Sequence, residues 1–211
     1  MSIRRLPVYL LLDTSGSMQG EPIHSVNVGL KALISSLRQD PFALETVYIS
    51  IITFDVEARV FLPLTPLDSV QLEEIEVKGA TYMGSALQLL IKSLQNDLVT
   101  SSGSTKGDWS PLVFLMTDGS PSDLEAYKVA ANILKQRKLI KIVACASGPK
   151  AKTEHLELLT DHIVKMDSMD SSAFMSFFKW VSASVSAGSS SAGIEVDNNL
   201  PPPPAEIQIM L

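Results

Sequence analysis

A single cysteine, Cys145, in 211 residues excludes an intramolecular disulfide, and with it the stapled scaffolds of small secreted domains. It lies in the apolar run IVACAS, where a lone thiol serves as a small core residue. Histidine is nearly as scarce. His24, His155 and His162 do not stand at the His-x-x-x-His spacing by which a helix holds zinc. Basic runs are missing too. Arg4-Arg5 is the only early pair, and a net charge of −6 argues against a nucleic-acid footprint. No stretch approaches the ~18–20 apolar residues that span a bilayer. The early run LPVYLLLD is closed by an acid, so it reads as a strand and not as a signal peptide. Neither G-x-x-x-x-G-K-S/T nor G-x-G-x-x-G occurs, which removes the common nucleotide loops. The expectation is a cytosolic protein with no membrane segment and no nucleic-acid partner.

What is present is ordinary globular material, 45% hydrophobic and 19% charged, long enough for one large domain. Strand and helix patterns alternate. Leu6 to Asp13 is apolar without alternation, as in a strand covered on both faces. Pro22 suits the start of a helix whose stripe is Val26, Leu30, Leu33, Ile34 and Leu37, ending near RQDP. TVYISIITF is a second strand. EARVFLPL follows after a short turn at Asp55-Val56, too short for a crossover helix, so this pair is antiparallel. Pro63 makes EARVFLPL an edge strand. Leu87, Leu90, Ile91, Leu94 and Leu98 mark a helix, and PLVFLMTD a buried strand that again ends in an acid. Ser122 and Glu125 read as a capping box for a helix that carries Val129, Ala130, Ile133 and Leu134. LIKIVACAS is a strand, Lys152 to Leu159 a short helix, and HIVKM a last short strand. A helix from Ser171 to about Ser186 buries Phe174, Phe177, Phe178, Val181 and Val185.

This order predicts an α/β fold: a doubly wound, mostly parallel sheet with one antiparallel edge strand and helices on both faces, Rossmann-like in outline. It occupies residues 1–186. Residues 187–211 read as a flexible Gly/Ser and Pro-rich tail with a short apolar end. There Ile207, Ile209 and Leu211 share one face if extended. That end is expected to dock as a strand, on this domain or on a partner, and the edge strand EARVFLPL is the obvious target.

In such sheets ligands bind at the carboxyl ends of the strands, where strand order reverses. Asp13 ends the first strand, with Ser15 and Ser17 just beyond it. Asp118 ends PLVFLMTD. KGATYMGSAL adds Thr81 just before a helix. If the two acids flank the switch point, two carboxylates and three hydroxyls share one crevice. A set of hard oxygens favours Mg²⁺, Mn²⁺ or Ca²⁺ over zinc.

The D-x-S-x-S of Asp13, Ser15 and Ser17, the downstream Thr81 and the T-D-G of Thr117 to Gly119 resemble the metal-ion-dependent adhesion site of von Willebrand factor type A domains. The resemblance covers about residues 5 to 186. It implies that Ser15, Ser17 and Thr81 contact one divalent cation, Mg²⁺ foremost. Asp13 and Asp118 would act directly or through water, and a carboxylate from a partner protein would complete the shell. Finer wording, RRLPVYLLLDTSGSMQGEPI, SLRQDP, SIITFD and LPPPP, is similar to tellurium-resistance members of the family. That likeness implies a stress-response setting, and as partners a metal-dependent serine/threonine phosphatase and a protein kinase. The alternative is an interaction subunit of a chelatase-like or other ATP-driven assembly.

The enzymatic rivals are weaker, and the expectation is a module without catalysis. DTSGS is not the G-x-S-x-G of a hydrolase. An aspartyl-phosphate phosphatase would resemble D-x-D, and here Ser15 takes the place of the second acid. Asp55 reads as a turn residue and Asp123 as a first-turn acid favoured by the helix dipole. Trp109 and Trp180 read as packing residues. The eight methionines read as fillers, although Met18 and Met83 stand where an apolar rim around the site could form.

Overall fold

The structure, a computed structural model, describes residues 4–103, 106–137, 139–149, 151–190, 201–204 and 207–210. Its first strand, β1 (Leu6–Asp13), is buried along all eight residues. Leu6, Val8, Leu10 and Leu12 enter one core, while Tyr9 and Leu11 enter a second on the opposite face. The period-two geometry of a strand sorts them this way, and two cores leave no face for polar residues.

Seven strands form one sheet in the order β3-β2-β1-β4-β5-β6-β7. β1 pairs in parallel with β2 (Val47–Phe54) and with β4 (Leu112–Thr117). β5 (Lys141–Ser147) and β6 (Ile163–Met166) continue the parallel series. β3 (Ala58–Pro66) closes one edge antiparallel to β2. Strand order therefore reverses between β1 and β4, at the point where Asp13 and the end of β4 come side by side.

One core lies beneath α1 (Glu21–Leu37), α2 (Pro41–Thr46) and α5 (Ser171–Ser190). α1 buries the stripe read from the sequence, with Gly29 added to it. A side chain at Gly29 would come within 2.2 Å of the Phe178 ring, so α1 and α5 meet backbone to aromatic. The other core lies beneath α3 (Met83–Asp97) and α4 (Leu124–Lys135). All five expected residues of α5 are buried. So is Cys145, whose thiol is pushed up to about 12 by burial, as befits an unreactive core residue. Trp180 packs against Phe114 and Phe177, whereas Trp109 is half-buried under the Arg4 guanidinium.

Several expectations need correcting. α2 is an extra helix that starts within RQDP, at Pro41, and is capped by Asp40, whose carboxylate accepts from the Phe42 and Ala43 amides. α4 buries Tyr127, Ala130, Ala131 and Leu134, leaving Val129 and Ile133 exposed. Its N-cap is Asp123 rather than Ser122, and Glu125 pairs with Lys128 instead of capping. Lys152 to Leu159 is no α-helix; only Leu156–Leu158 makes a 3-10 turn. α5 runs four residues beyond Ser186.

The end of the chain differs most. Ile207–Met210 is a seventh strand, β7, antiparallel to β6. The sheet thus has a second antiparallel edge, and the strand docks on β6, at the opposite side of the sheet from β3. Ile207 is buried in the α1/α5 core, and the Trp180 indole N–H donates to the Pro201 carbonyl at 2.8 Å. Residues 191–200, where most of the flexible stretch was expected, and Leu211 lie outside the described residues.

Candidate metal centre

The chain leaves β1 at Asp13 and is pinned at once. The Thr14 amide donates to the Phe54 carbonyl at 2.9 Å, the Lys78 amide donates to the Thr14 carbonyl at 2.8 Å, and the Gly16 amide donates to the Gly79 carbonyl at 2.7 Å. Gly79 has φ of 58°, and a Cβ there would lie 2.4 Å from Val56. Glycine is required on both counts. The turn beyond β1 is thus held between the end of β2 and the segment preceding α3.

Within this frame the expected oxygens converge. Asp13 Oδ1 accepts the Ser15 amide at 2.9 Å, and Asp13 Oδ2 accepts the Thr117 hydroxyl at 2.6 Å. Ser15 Oγ and Ser17 Oγ share a hydrogen bond of 3.2 Å. The Ser17 hydroxyl donates to Asp118 Oδ1 at 2.9 Å. Thr81 lies against Gly119, the residue after Asp118, where a Cβ would come within 3.6 Å of Thr81 Oγ1. Its carbonyl accepts the Ser122 amide at 2.9 Å. Asp13 and Ser15 are buried, Thr81 and Asp118 half-buried, and Ser17 exposed. The site has a dry floor and a mouth open to solvent.

Burial is the main cause pushing the Asp13 carboxyl up to about 6. The hydrogen bonds from Ser15 and Thr117 hold it back, and the Asp118 charge adds to the rise. A bound cation acts the other way, since it favours the carboxylate. Among the described residues no buried side-chain nitrogen or oxygen lacks a partner, and no three His, Cys, Asp or Glu side chains form a metal-ligating group. The available donors are two carboxylates and three hydroxyls. That set fits a hard divalent ion and leaves nothing for a soft one.

Three residues matter here in ways the sequence did not suggest. Thr117, seen only as part of T-D-G, orients Asp13. Asp55, expected as a turn residue, is buried. It accepts from the Thr14 hydroxyl at 3.1 Å and from Arg59 at 3.0 Å, and its carbonyl accepts the Tyr82 amide at 2.8 Å. An acid closing β2, like those closing β1 and β4, was the available signal. Asp123 is turned away from its own helix, toward α3. The methionine rim is a correction: Met18 and Met83 are both 0% exposed. Val56 at 49% and Tyr82 at 38% are the apolar side chains that reach solvent beside the Thr81 loop. The hydroxyls of Ser15 and Ser17 face each other and the carboxylates of Asp13 and Asp118, so among the described residues neither serine is set against a histidine base.

Comparison with known proteins bears on the family and the fold. The family model of the von Willebrand factor type A domain matches residues 8–178. The pilus adhesin SpaC of Lactobacillus rhamnosus GG superposes with a TM-score of 0.69 at 15% identity, over 89% of this chain and 31% of its own. The ArnB paralog VWA2 of Sulfolobus acidocaldarius gives 0.58 at 16%, over 89% and 46%. The von Willebrand factor type A protein of Catenulispora acidiphila gives 0.62 at 15%, over 87% and 43%. Likeness at these identities bears on the fold alone. An uncharacterised protein of Synechocystis sp. is 29% identical over 123 residues, 55% of this chain and 26% of its own length, so the chain spans about a quarter of that curated relative. With the family model matching residues 8–178, more than three quarters of its length, the chain belongs to the von Willebrand factor type A domain family.

Proposed function

We propose that this domain is a metal-dependent protein-interaction module without catalytic activity of its own. Domains of this family are typically interaction modules with a metal site. The observation that carries the reading is the run of oxygens from Ser15 through Ser17 to Asp118 at an open mouth, above the buried Asp13. Ser15, Ser17, Thr81, Asp13 and Asp118 would hold one divalent cation, Mg²⁺ foremost. When bound, the cation supplies a point of positive charge that a partner's carboxylate can grip. Three of the five side chains are neutral, so they leave charge on the cation for an acid from outside. The exposure of Ser17 gives that acid a way in.

The finer reading extends this to a cytosolic stress-response system similar to that of the tellurium-resistance protein TerY, with a metal-dependent phosphatase and a protein kinase as partners. The wording of RRLPVYLLLDTSGSMQGEPI and SLRQDP supports it. Isothermal titration tests the core of the proposal. One Mg²⁺ or Mn²⁺ site is expected, lost in Asp13→Ala and in Ser15→Ala/Ser17→Ala. A double serine variant that binds Mg²⁺ like the parent overturns the assignment. Capture of the phosphatase or kinase by the immobilised domain, lost on adding EDTA, tests the finer reading.

A further inference from the structure

Asp123 opens α4 with its backbone, since the Tyr127 amide donates to the Asp123 carbonyl at 2.9 Å. Its side chain serves a different helix. Oδ1 accepts the Gly84 amide at 2.9 Å, and Oδ2 accepts the Ser85 amide at 2.8 Å and the Ser85 hydroxyl at 3.1 Å. These amides belong to the first turn of α3, whose own N-cap, Tyr82, offers no side-chain bond. Helix N-termini leave such donors unsatisfied unless something caps them. The cap for α3 thus comes from the loop that carries Asp118. Two more contacts follow the same line. The Ser122 amide holds the Thr81 carbonyl, and Gly84 lets the two helices approach so closely that a Cβ would stand 2.4 Å from the Tyr127 amide.

From this geometry we infer that Asp123 is a positioning residue, which fastens the Thr81 loop to the Asp118 loop so that the two move as one body. The inference rests on the metal reading above for its purpose, though not for its geometry. Ser15 and Ser17 sit on a separate turn, pinned by β2 and Gly79. The site is then a joint between two pieces, one bearing the serines and Asp13, the other bearing Thr81 and Asp118. Asp123 acts on the cation only through Thr81. Groups that orient metal ligands typically alter affinity by roughly 10–100-fold when removed.

A double-mutant cycle on the full chain separates this role from general stabilisation. Mn²⁺ affinity is measured in the parent, Asp123→Asn, Thr81→Ala and the double variant, with Asp123→Ala as the stronger lesion. Asp123→Asn is expected to weaken Mn²⁺ about tenfold in the parent and less than about twofold when Thr81 is already alanine. An equal loss in both backgrounds overturns the inference, because a merely structural role ignores Thr81. A second arm needs no metal. In chelator-treated protein, hydrogen exchange at the Ser122 amide is expected to rise at least about tenfold in Asp123→Asn, while Tyr82, held by the Asp55 carbonyl, stays protected. Unchanged exchange at Ser122 sinks the proposal. If the parent titrates no Mn²⁺ at all, the metal reading falls, and the exchange arm alone decides whether Asp123 joins the loops.

Discussion

Two opposed demands meet on the Asp13 carboxyl. Burial raises it from 3.8 to about 6, and a cation needs it ionised. The sign follows from linkage. A carboxyl raised in the folded state contributes stability that is fully present below its unfolded value and lost as pH rises through about 6. The metal-free domain is therefore expected to lose stability from this group between about pH 4 and 6. Cation binding runs the other way. Because a proton must leave, Mn²⁺ affinity is expected to fall up to tenfold per unit as pH drops below 6. Titration calorimetry at pH 5, 6 and 7 checks this, and a flat profile would remove Asp13 from the site. Thr117→Val deletes a bond that holds the carboxyl down, so the midpoint of that profile is expected to move upward. Acids at strand ends were legible in the sequence because nothing else interrupts those apolar runs. The roles of Thr117, Asp55 and Asp123 were not, since each acts on a segment distant in the chain.

Between elements, distance of approach decides more than hydropathy does. On α4 the larger apolar residues Val129 and Ile133 stay exposed. α4 meets α3 at Gly84 with the backbones nearly touching, so the buried face is the one with Ala130 and Ala131. Tyr127 fits beside it because its hydroxyl reaches the His155 carbonyl at 2.7 Å. The long strands and α1 were legible because their faces need bulk. The same logic makes Gly29 a test. Alanine is the better helix former by about 1 kcal/mol, yet its Cβ would overlap Phe178, a ring buried among its neighbours. Overpacking costs about 1–3 kcal/mol, so Gly29→Ala is expected to lower the melting temperature by a few degrees. Gly103→Ala, where nothing lies within 4 Å, should leave it in place. Equal melting temperatures would mean that α1 and α5 have room to part.

At the scale of the whole molecule the sheet is finished by antiparallel strands on both sides, and neither edge is a bare parallel strand. β3 carries Pro63 and Pro66 and departs from regular register twice, devices that discourage an added strand. This explains why β6, four residues long and without such devices, receives β7. The alternation of the segment was legible in the sequence, but the edge expected to receive it, β3, is the wrong one, because the order of strands in the sheet could not be read from the chain. Ile207→Ala is expected to cost about 2 kcal/mol or more, as for other buried isoleucines, and to speed exchange of the amides in 207–210. The emission of Trp180, bonded to Pro201, should change with it. A variant with parental stability and emission would show that this strand contributes nothing to the fold in solution.

Placing β1 at the middle of the sheet has a kinetic corollary. The first strand made has one flank covered early by β2, but the other waits for β4, and the bond between Thr117 and Asp13 joins residues 104 apart. Contacts of such span close slowly, and the mouth of the site needs them all. A ligand that recognises only the finished mouth cannot hasten its construction. It can only delay its opening, so added Mg²⁺ should lower the unfolding rate and leave the refolding rate almost untouched.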